Sequence, residues 1–175
     1  MAGVESGRTA ADVGAGSGFI TEGLLGRGLS AIAVDESEAM LDDLKRKLTS
    51  SGKIDCRVGD ALMLPIPSES VDYAFANMCL HHVDSPARVA REMARVVKPG
   101  GKVVITDLEE HDSEFLREEQ RDRWMGFKKE SVRRWLKAVG LKGISVRRTC
   151  DRCCVQSTCG CDRADVGIFV PVGKK

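Results

Sequence analysis

The feature that most constrains this chain is a glycine-rich stretch near its start, TAADVGAGSG at residues 9–18. A short apolar run leads to an acidic residue and then to three glycines at alternate positions. We interpret the run as a strand that enters a tight turn and opens a helix at Phe19–Leu25. Glycine has no Cβ, so such a turn lets backbone N–H groups approach a ligand closely. The stretch therefore predicts a nucleotide-type binding site.

The glycine spacing narrows the class of ligand. A dinucleotide-binding fingerprint places its third glycine where Phe19 stands here, to let the helix pack closely on the strand. Asp12 precedes the glycines, and a carboxylate at that point would repel a pyrophosphate. It would attract a ligand with positive groups, such as the sulfonium and ammonium of S-adenosylmethionine. A dinucleotide oxidoreductase is therefore disfavoured, and a structural turn without a ligand stays as an alternative.

Two more acids follow predicted strands at the same end of the sheet. Asp35 comes directly after the second strand, where an acid can accept hydrogen bonds from both hydroxyls of a ribose. The alternative is a structural one, because Asp35 or Ser37 could cap the helix predicted at Glu38–Leu48. Asp60 follows the third strand and can accept a hydrogen bond from an adenine amino group. Three strand tips are thus expected to converge on one ligand.

The remaining pattern is typical of a parallel sheet with helices on both faces. Ser85 is predicted to cap a helix that has Pro86 in its first position. A charged segment at 111–127 is predicted to form a helix across the site. The other predicted elements are strands at 29–34, 55–58, 70–76 and 102–106, helices at 86–97 and 130–138, and closing strands at 145–148 and 165–170.

Composition limits the protein class. The 175 residues are 42% hydrophobic, which suits a single domain spanning 1–175 with one core. A formal net charge of +1 gives no field that would favour nucleic acid or an anionic membrane. No run of about 18 apolar residues exists for a membrane span, and the start lacks the layout of a signal peptide. We expect a cytoplasmic protein that acts on a small molecule, with its oligomeric state open.

Cysteines cluster near the C-terminus. The chain has seven, and five of them fall within a short segment that we predict to be a loop between the closing strands. Thiolates at CxxC spacing can bind one soft ion, so the segment predicts a zinc or arsenite site. Exposed or buried free thiols are the alternative. The five candidate ligands are Cys150, Cys153, Cys154, Cys159 and Cys161.

Taken together, the motifs resemble the class I S-adenosylmethionine-dependent methyltransferases, in their small-molecule, UbiE-like branch. The motifs are DVGAGSG at 12–18, VDES at 34–37, GDA at 59–61, LHHVDSP at 80–86 and VKPGGKVVITD at 97–107. The segment at 111–127 further resembles methyltransferase domains that elsewhere follow an ArsR-type winged-helix regulator. The resemblance implies a doubly wound, mostly parallel, seven-stranded Rossmann-like α/β sheet whose last strand is antiparallel. It differs in one respect, since the N-terminal helices that cap the cofactor in this family are missing, so we expect an open crevice.

The resemblance also implies cofactor contacts at the matching positions. The methionine end would be held by one set of residues, the ribose by a second and the adenine by a third. In that order the sets are Asp12, Gly14 and Gly16 with the backbone of Asn77; Asp35 with Glu36 and Met40 beside it; and Asp60 with Ala61.

Methyl transfer needs mainly alignment of the nucleophile with the methyl group. A general base matters only for a protonated nucleophile, and the candidates are His81, His82 and His111. We single out His82, which follows the fourth strand, and His111, in the segment at 111–127. The alternative for each is a histidine with a structural role. The predicted activity is methyl transfer to a small acceptor, with arsenite or another thiophilic species among the candidates. The alternative is a methyltransferase-like sensor or metal-binding protein without turnover.

Overall fold

A computed structural model describes residues 3–48, 53–158, 160 and 162–175. It contains seven strands and five α-helices within those ranges. The strands are β1 (Thr9–Val13), β2 (Ser30–Asp35), β3 (Ile54–Val58), β4 (Val71–Asn77), β5 (Val97–Leu108), β6 (Lys142–Gln156) and β7 (Arg163–Lys174). The helices are α1 (Phe19–Leu25), α2 (Glu38–Leu48), α3 (Pro86–Val96), α4 (Glu114–Glu119) and α5 (Lys129–Ala138).

All seven strands form one sheet, in the order β3-β2-β1-β4-β5-β7-β6. Strands β1 to β5 pair in parallel, whereas β7 lies antiparallel between β5 and β6. This confirms the predicted doubly wound fold with an antiparallel closing strand. The carboxyl ends of β1 to β4 consequently meet at one edge of the sheet, where such folds bind their ligands.

Helices pack on both faces because the strand side chains alternate between them. Ala11 and Val13 of β1 belong to the large core beneath α3 and α5. Ala10, one residue away, belongs to the smaller core beneath α1. The α2 helix covers the same side at β2 and β3 through Leu41 and Leu44. Tight burial on both faces fixes the strand tips relative to one another.

The face that carries α1 and α2 is only partly covered. Beyond α1, strand side chains line a groove of about 960 Å³. The groove contains apolar residues from three strands and from α1, including Phe19, Phe75, Val104, Val170 and Val172. Gly14, Asp35 and Asp60 are not among the residues that line this groove.

The prediction of a helix over residues 111–127 is wrong for most of that segment. Only α4 is helical there, and the chain then returns alongside the end of β5. Phe127 N–H donates to the Leu108 carbonyl at 3.0 Å, and Glu110 N–H donates to the Phe127 carbonyl at 3.2 Å. Gly126 makes this approach possible, because it has φ of 67° and a Cβ there would lie 2.1 Å from the Glu109 carbonyl oxygen. The charged composition of the segment does not predict this turn.

The closing strands are longer than predicted, and this moves the cysteines. Cys150, Cys153 and Cys154 lie within β6, so their placement in a loop is wrong. Neighbouring residues of a strand point to opposite faces, so Cys153 and Cys154 cannot jointly bind one ion from β6. Cys159 and Cys161 lie outside the described residues.

Two smaller observations complete the fold. Ser85 precedes α3 as predicted, but its side chain makes no capping hydrogen bond. Among the described residues, no helix has both the length and the apolar composition needed to cross a lipid bilayer.

Candidate active site

A crevice of about 510 Å³ lies at the carboxyl ends of the central strands. It is smaller than the apolar groove, but the predicted functional residues converge here, which makes it the better candidate site. The predicted residues in its lining are Gly14, Gly16, Asp35, Glu36, Asp60, Ala61 and His82. The lining also includes Met78, Cys79, Asp84 and Arg123, which sequence reasoning did not single out.

The glycine turn closes on itself instead of presenting its amides to the crevice. The N–H groups of Gly14 and Ala15 both donate to the Val34 carbonyl, at 2.9 and 3.0 Å. The Gly16 N–H donates to Asp35 Oδ2 at 2.9 Å. The role of the glycines is therefore close approach: a Cβ on Gly14 would lie 2.5 Å from Cys79 Sγ. A phosphate would find these N–H groups already engaged.

The carboxylate of Asp35 ties two turns together. Its Oδ2 accepts from Gly16, and its Oδ1 accepts the Ser37 N–H at 2.9 Å. Ser37 provides the helix cap, since its Oγ accepts the Met40 N–H at 3.3 Å. Asp35 thus does not cap α2 itself. Each of its oxygens keeps a second lone pair, and the residue lines the crevice, so acceptance of ribose hydroxyls is compatible with its contacts.

The crevice lining is rich in acidic groups. Asp60 follows β3, and its Oδ1 accepts the Leu62 N–H at 2.7 Å, which fixes the carboxylate beside Ala61. Asp35, Glu36 and Asp84 add three more carboxylates. Among the described residues of the lining, Arg123 is the one arginine or lysine, and it forms an ion pair with Asp84. This distribution favours a ligand with positive charge and hydroxyl groups over a pyrophosphate.

Asp12 lies behind the glycine turn and outside the crevice lining. It is buried, and its Oδ2 accepts a hydrogen bond from Thr21 Oγ1 at 2.6 Å. Burial raises the pKa of this carboxyl to about 6, against the opposing effect of the Thr21 hydrogen bond. Its charge is therefore poorly solvated, which makes it responsive to a nearby cation.

Two other predicted cofactor residues also lie outside the lining. Asn77 ends β4 and pairs with Thr106 of β5, one residue before the crevice residue Met78. Met40 is partly exposed on α2, and its Cε lies 3.9 Å from the position of a Cβ on Gly16. Both are adjacent to the crevice and not within its surface.

The side of the crevice opposite the glycine turn contains a buried histidine. His81 Nδ1 lies 2.7 Å from Asp107 Oδ1, and both side chains are almost inaccessible. Asp107 also accepts the backbone N–H groups of Leu80 and Leu108, at 2.9 and 2.8 Å. Burial alone lowers the pKa of His81, but the hydrogen bond to Asp107 and the charges of Asp107 and Asp122 outweigh it, so the pKa lies above its ordinary value.

His82 and His111 occupy different environments. His82 is about half exposed in the crevice, and burial together with the neighbouring His81 lowers its pKa. His111 lies outside the crevice lining; its Nδ1 accepts the Ser113 N–H at 3.2 Å, and its Nε2 is buried without a hydrogen-bond partner. Burial, as the largest cause, also lowers the pKa of His111. Of the two predicted bases, only His82 faces the crevice.

Several residues of this region were missed at the sequence level. Asp107 directly follows the strand predicted at 102–106, so the signal that singled out Asp35 was present there as well. Cys79 is mostly buried, and burial raises the pKa of its thiol to about 12, so it is a protonated thiol at neutral pH. Asp122 lies in an irregular segment, where no periodicity could have indicated its position.

Part of the chain matches a known protein family. Residues 11–105 match the sequence model of a family described as Methyltransferase domain. The demethylmenaquinone methyltransferase of Renibacterium salmoninarum is 37% identical over 106 residues, covering 61% of this chain and 44% of that protein. The biotin biosynthesis bifunctional protein BioHC of Cellvibrio japonicus is 36% identical over 97 residues, covering 55% of this chain and 19% of that protein. The matched region thus spans less than half the length of either relative.

Solved structures share the fold over nearly the whole chain. The YcgJ protein of Bacillus subtilis superposes with a TM-score of 0.80, covering 99% of this chain and 94% of that one. The sequence identity is 17%, so this similarity concerns the fold alone.

Proposed function

Since the chain belongs to the methyltransferase domain family, we propose that it transfers a methyl group from S-adenosylmethionine to a small-molecule acceptor. The observation that carries the proposal is the convergence on one crevice of the glycine turn after β1 with the carboxylates that follow β2 and β3. The turn amides are used internally, and the acidic lining suits a cationic ligand better than a dinucleotide.

Each part of the cofactor has candidate partners. Asp35 would accept the ribose hydroxyls, and Asp60 with the Ala61 N–H would bind the adenine. Gly14 and Gly16 would let the methionine end approach the backbone, with the buried charge of Asp12 behind them. Glu36 lies in the lining beside Asp35, whereas Met40 and the Asn77 backbone would contact the ligand from just outside it.

The reaction requires little chemical activation. The acceptor's electron pair bonds to the methyl carbon while the carbon–sulfur bond breaks, and its electrons neutralise the sulfonium. Alignment and exclusion of water supply most of the rate enhancement. His82 is the better-placed base for a protonated acceptor because it is neutral at pH 7 and faces the crevice. A catalytic role for His111 would require the acceptor to reach a side chain outside the crevice.

The proposal is tested by calorimetric titration with S-adenosylhomocysteine. Asp35→Ala should lower affinity more than tenfold, since hydrogen bonds to a charged group contribute about 1.5–3 kcal/mol. Asp43→Ala is the matched control, because Asp43 is an exposed carboxylate on α2 that pairs only with Arg46 among the contacts described. Equal affinities in the two variants, or tighter binding of a nicotinamide dinucleotide than of S-adenosylhomocysteine, would contradict the proposal.

A sensor or metalloid-binding protein without turnover is the second candidate. Incubation with labelled S-adenosylmethionine and a panel of arsenite, thiols and quinols separates the two, because only the enzyme releases labelled product. The ion site predicted at the C-terminal cysteines can use only one of Cys153 and Cys154 from β6, together with Cys150, Cys159 and Cys161, and it is tested by alkylation followed by mass spectrometry. Added zinc or arsenite should slow labelling, and unchanged rates at all five would argue against an ion site.

We also propose a cytoplasmic location. The described cysteines are Cys56, Cys79, Cys150, Cys153 and Cys154, and all five are free thiols. Free thiols of this number suit a reducing compartment. Fractionation of cells that express the full-length protein would test this.

A further inference from the structure

Three metal-ligating side chains meet beside the crevice. His81, His82 and Asp122 each offer one atom, and these atoms all lie within 4.8 Å of one another. Asp122 Oδ1 is 3.8 Å from His81 Nε2 and 3.5 Å from His82 Nδ1. None of the three is a proposed cofactor contact, although His82 lines the crevice and is the candidate base above; metal binding by His82 would replace that role.

The central oxygen of this cluster has no partner. The Asp122 side chain is 3% exposed, yet its Oδ1 makes no hydrogen bond. A buried carboxylate oxygen in that condition is costly, because it has lost its water without compensation. The segment is nevertheless held in place, since Arg123 and Trp124 donate their N–H groups to the His81 carbonyl at 2.9 and 3.1 Å.

The hydrogen bonding of the His81 ring determines which of its atoms faces Asp122 Oδ1. Asp107 accepts backbone hydrogen bonds at both oxygens, so the close contact with His81 Nδ1 requires that nitrogen to be the donor. In the neutral ring, Nε2 then presents a lone pair toward Asp122. A carboxylate that fixes the far nitrogen of a histidine is the usual support of a metal-ligating imidazole.

A proton alone does not satisfy the cluster. Protonated His81 would give Asp122 one partner, but the 3.8 Å separation is longer than a hydrogen bond. His82 Nδ1 would still lie near the same oxygen without a bond between them. A tetrahedral zinc ion with bonds of about 2.0–2.1 Å holds its ligand atoms roughly 3.4 Å apart, close to the two measured separations.

We propose that His81 Nε2, His82 Nδ1 and Asp122 Oδ1 form a three-ligand site for a divalent transition metal of the zinc class, with an open coordination position toward the crevice. His81 and Asp122 form the buried side of the site, and half-exposed His82 forms the side next to the crevice. Two imidazoles, one carboxylate and one open position are the ligand set of catalytic zinc sites.

The role of the ion rests on the proposed function. An acceptor hydroxyl that takes the open position would have its pKa lowered and would release its proton to solvent. The resulting oxyanion would attack the methyl carbon as the carbon–sulfur bond breaks, with that electron pair staying on sulfur. The metal site therefore favours acceptors with an ionisable hydroxyl.

Metal binding is tested on the full chain after chelation and without any methyl donor. Zinc is titrated against a chromophoric competitor, and cobalt(II) serves as a spectroscopic substitute whose visible absorption reports imidazole and carboxylate ligation. We expect one ion per chain at this site. Asp122→Asn and His82→Gln should each weaken zinc binding more than tenfold. A variant with serine at all five C-terminal cysteine positions removes the separate thiol site predicted from the sequence, and it should keep the zinc ion that His81, His82 and Asp122 bind.

Specific outcomes would overturn the proposal. These are no zinc binding by the wild-type chain, unchanged affinity in Asp122→Asn and His82→Gln, or loss of binding in the serine variant. The NMR resonances of the imidazole nitrogens provide a further test. If they show His81 protonated at both nitrogens and do not shift when zinc is added, the site holds a proton and the metal proposal is wrong. Titration with S-adenosylhomocysteine in the absence of zinc confirms folding of each variant and tests the proposed function separately.

Discussion

The two walls of the crevice are built in different ways. The turn wall, at residues 14–18, 35–37 and 59–61, is held by backbone N–H groups that donate to the carboxylates of Asp35 and Asp60. The histidine wall, at residues 78–84 and 121–124, depends on side chains brought from distant segments, as in the contact of His81 with Asp107. The first wall is complete without a ligand, whereas the second leaves Asp122 Oδ1 unpaired. Binding of a conserved type of cofactor suits the first, and adaptation to a particular acceptor suits the second.

The largest effect on stability is expected at Gly126, which lets the segment beside the histidine wall approach the backbone of Glu109. Gly126→Ala places a Cβ against the Glu109 backbone at a positive φ, which should cost roughly 4 kcal/mol in the free energy of unfolding. Gly140→Ala is the control, since its φ is also positive but nothing lies within 4 Å, and it should cost about 1–2 kcal/mol. Urea unfolding measures both. Equal losses would mean that the approach to Glu109 is not tight.

The turn wall is expected to be sensitive to pH through Asp12. Burial raises its pKa from 3.8 to about 6, so folding favours the protonated acid. That contribution to stability is complete below pH 3.8 and is lost as the pH rises through about 6. Asp12→Asn should therefore stabilise the cofactor-free protein at pH 7 by up to roughly 3 kcal/mol.

Cofactor binding should show the opposite dependence. A cationic methyl donor favours ionised Asp12, so affinity should fall as the pH drops below about 6, and Asp12→Asn should remove this slope. Thermal unfolding and calorimetry at several pH values provide the two measurements. A slope that persists in Asp12→Asn would assign the titration to another group.

Contact between the two walls should be measurable as a coupling. Gly14→Ala combines a positive φ with a 2.5 Å contact to Cys79 Sγ, and we expect a loss of about 2 kcal/mol in stability or cofactor affinity. Cys79→Ala removes the sulfur and should recover part of that loss in the double variant. Gly7→Ala, which meets nothing within 4 Å, is the control for backbone strain. Strict additivity would show that the walls do not touch through this pair.

The smallest effect on stability is expected from the serines that precede α2, at the turn wall, and α3, at the histidine wall. Ser37 caps α2 through a side-chain hydrogen bond, whereas Ser85 precedes α3 without one. Ser37→Ala should therefore cost about 1 kcal/mol of unfolding free energy, and Ser85→Ala much less. Paired urea titrations at one pH resolve the difference. The reverse order would contradict the capping assignment.

The difference between the walls also sets what could be predicted from the sequence. In the turn wall each acid or glycine follows its own strand, so spacing alone predicts that Gly14, Asp35 and Asp60 lie at strand tips, and the structure places them there. The antiparallel closing strand came from family resemblance, and the structure confirms it.

The histidine wall could be predicted only in part. Its residues come together through tertiary contacts between segments that carry no periodic pattern, and Asp122 is an example. The predicted helix at 111–127 failed for the same reason, since Gly126 permits a backbone approach that composition does not reveal. The sequence predicts a closing strand of only four residues, 145–148, and therefore places the cysteines in a loop. Pairing with β7 extends β6 to fifteen residues.

The position of β6 at the outer edge of the sheet has a consequence for the behaviour of the protein at high concentration. A fifteen-residue edge strand exposes unpaired backbone groups that could template pairing with a second copy. Its charged residues are Lys142, Arg147, Arg148 and Arg152 against the acid Asp151; Arg148 and Arg152 pair with Glu109 and Asp165, which still leaves the strand with a net positive charge. Two such edges repel each other, and a register shift between Arg148 and Arg152 bends the strand away from a flat template. Because salt screens this repulsion, edge-to-edge aggregation should increase with ionic strength.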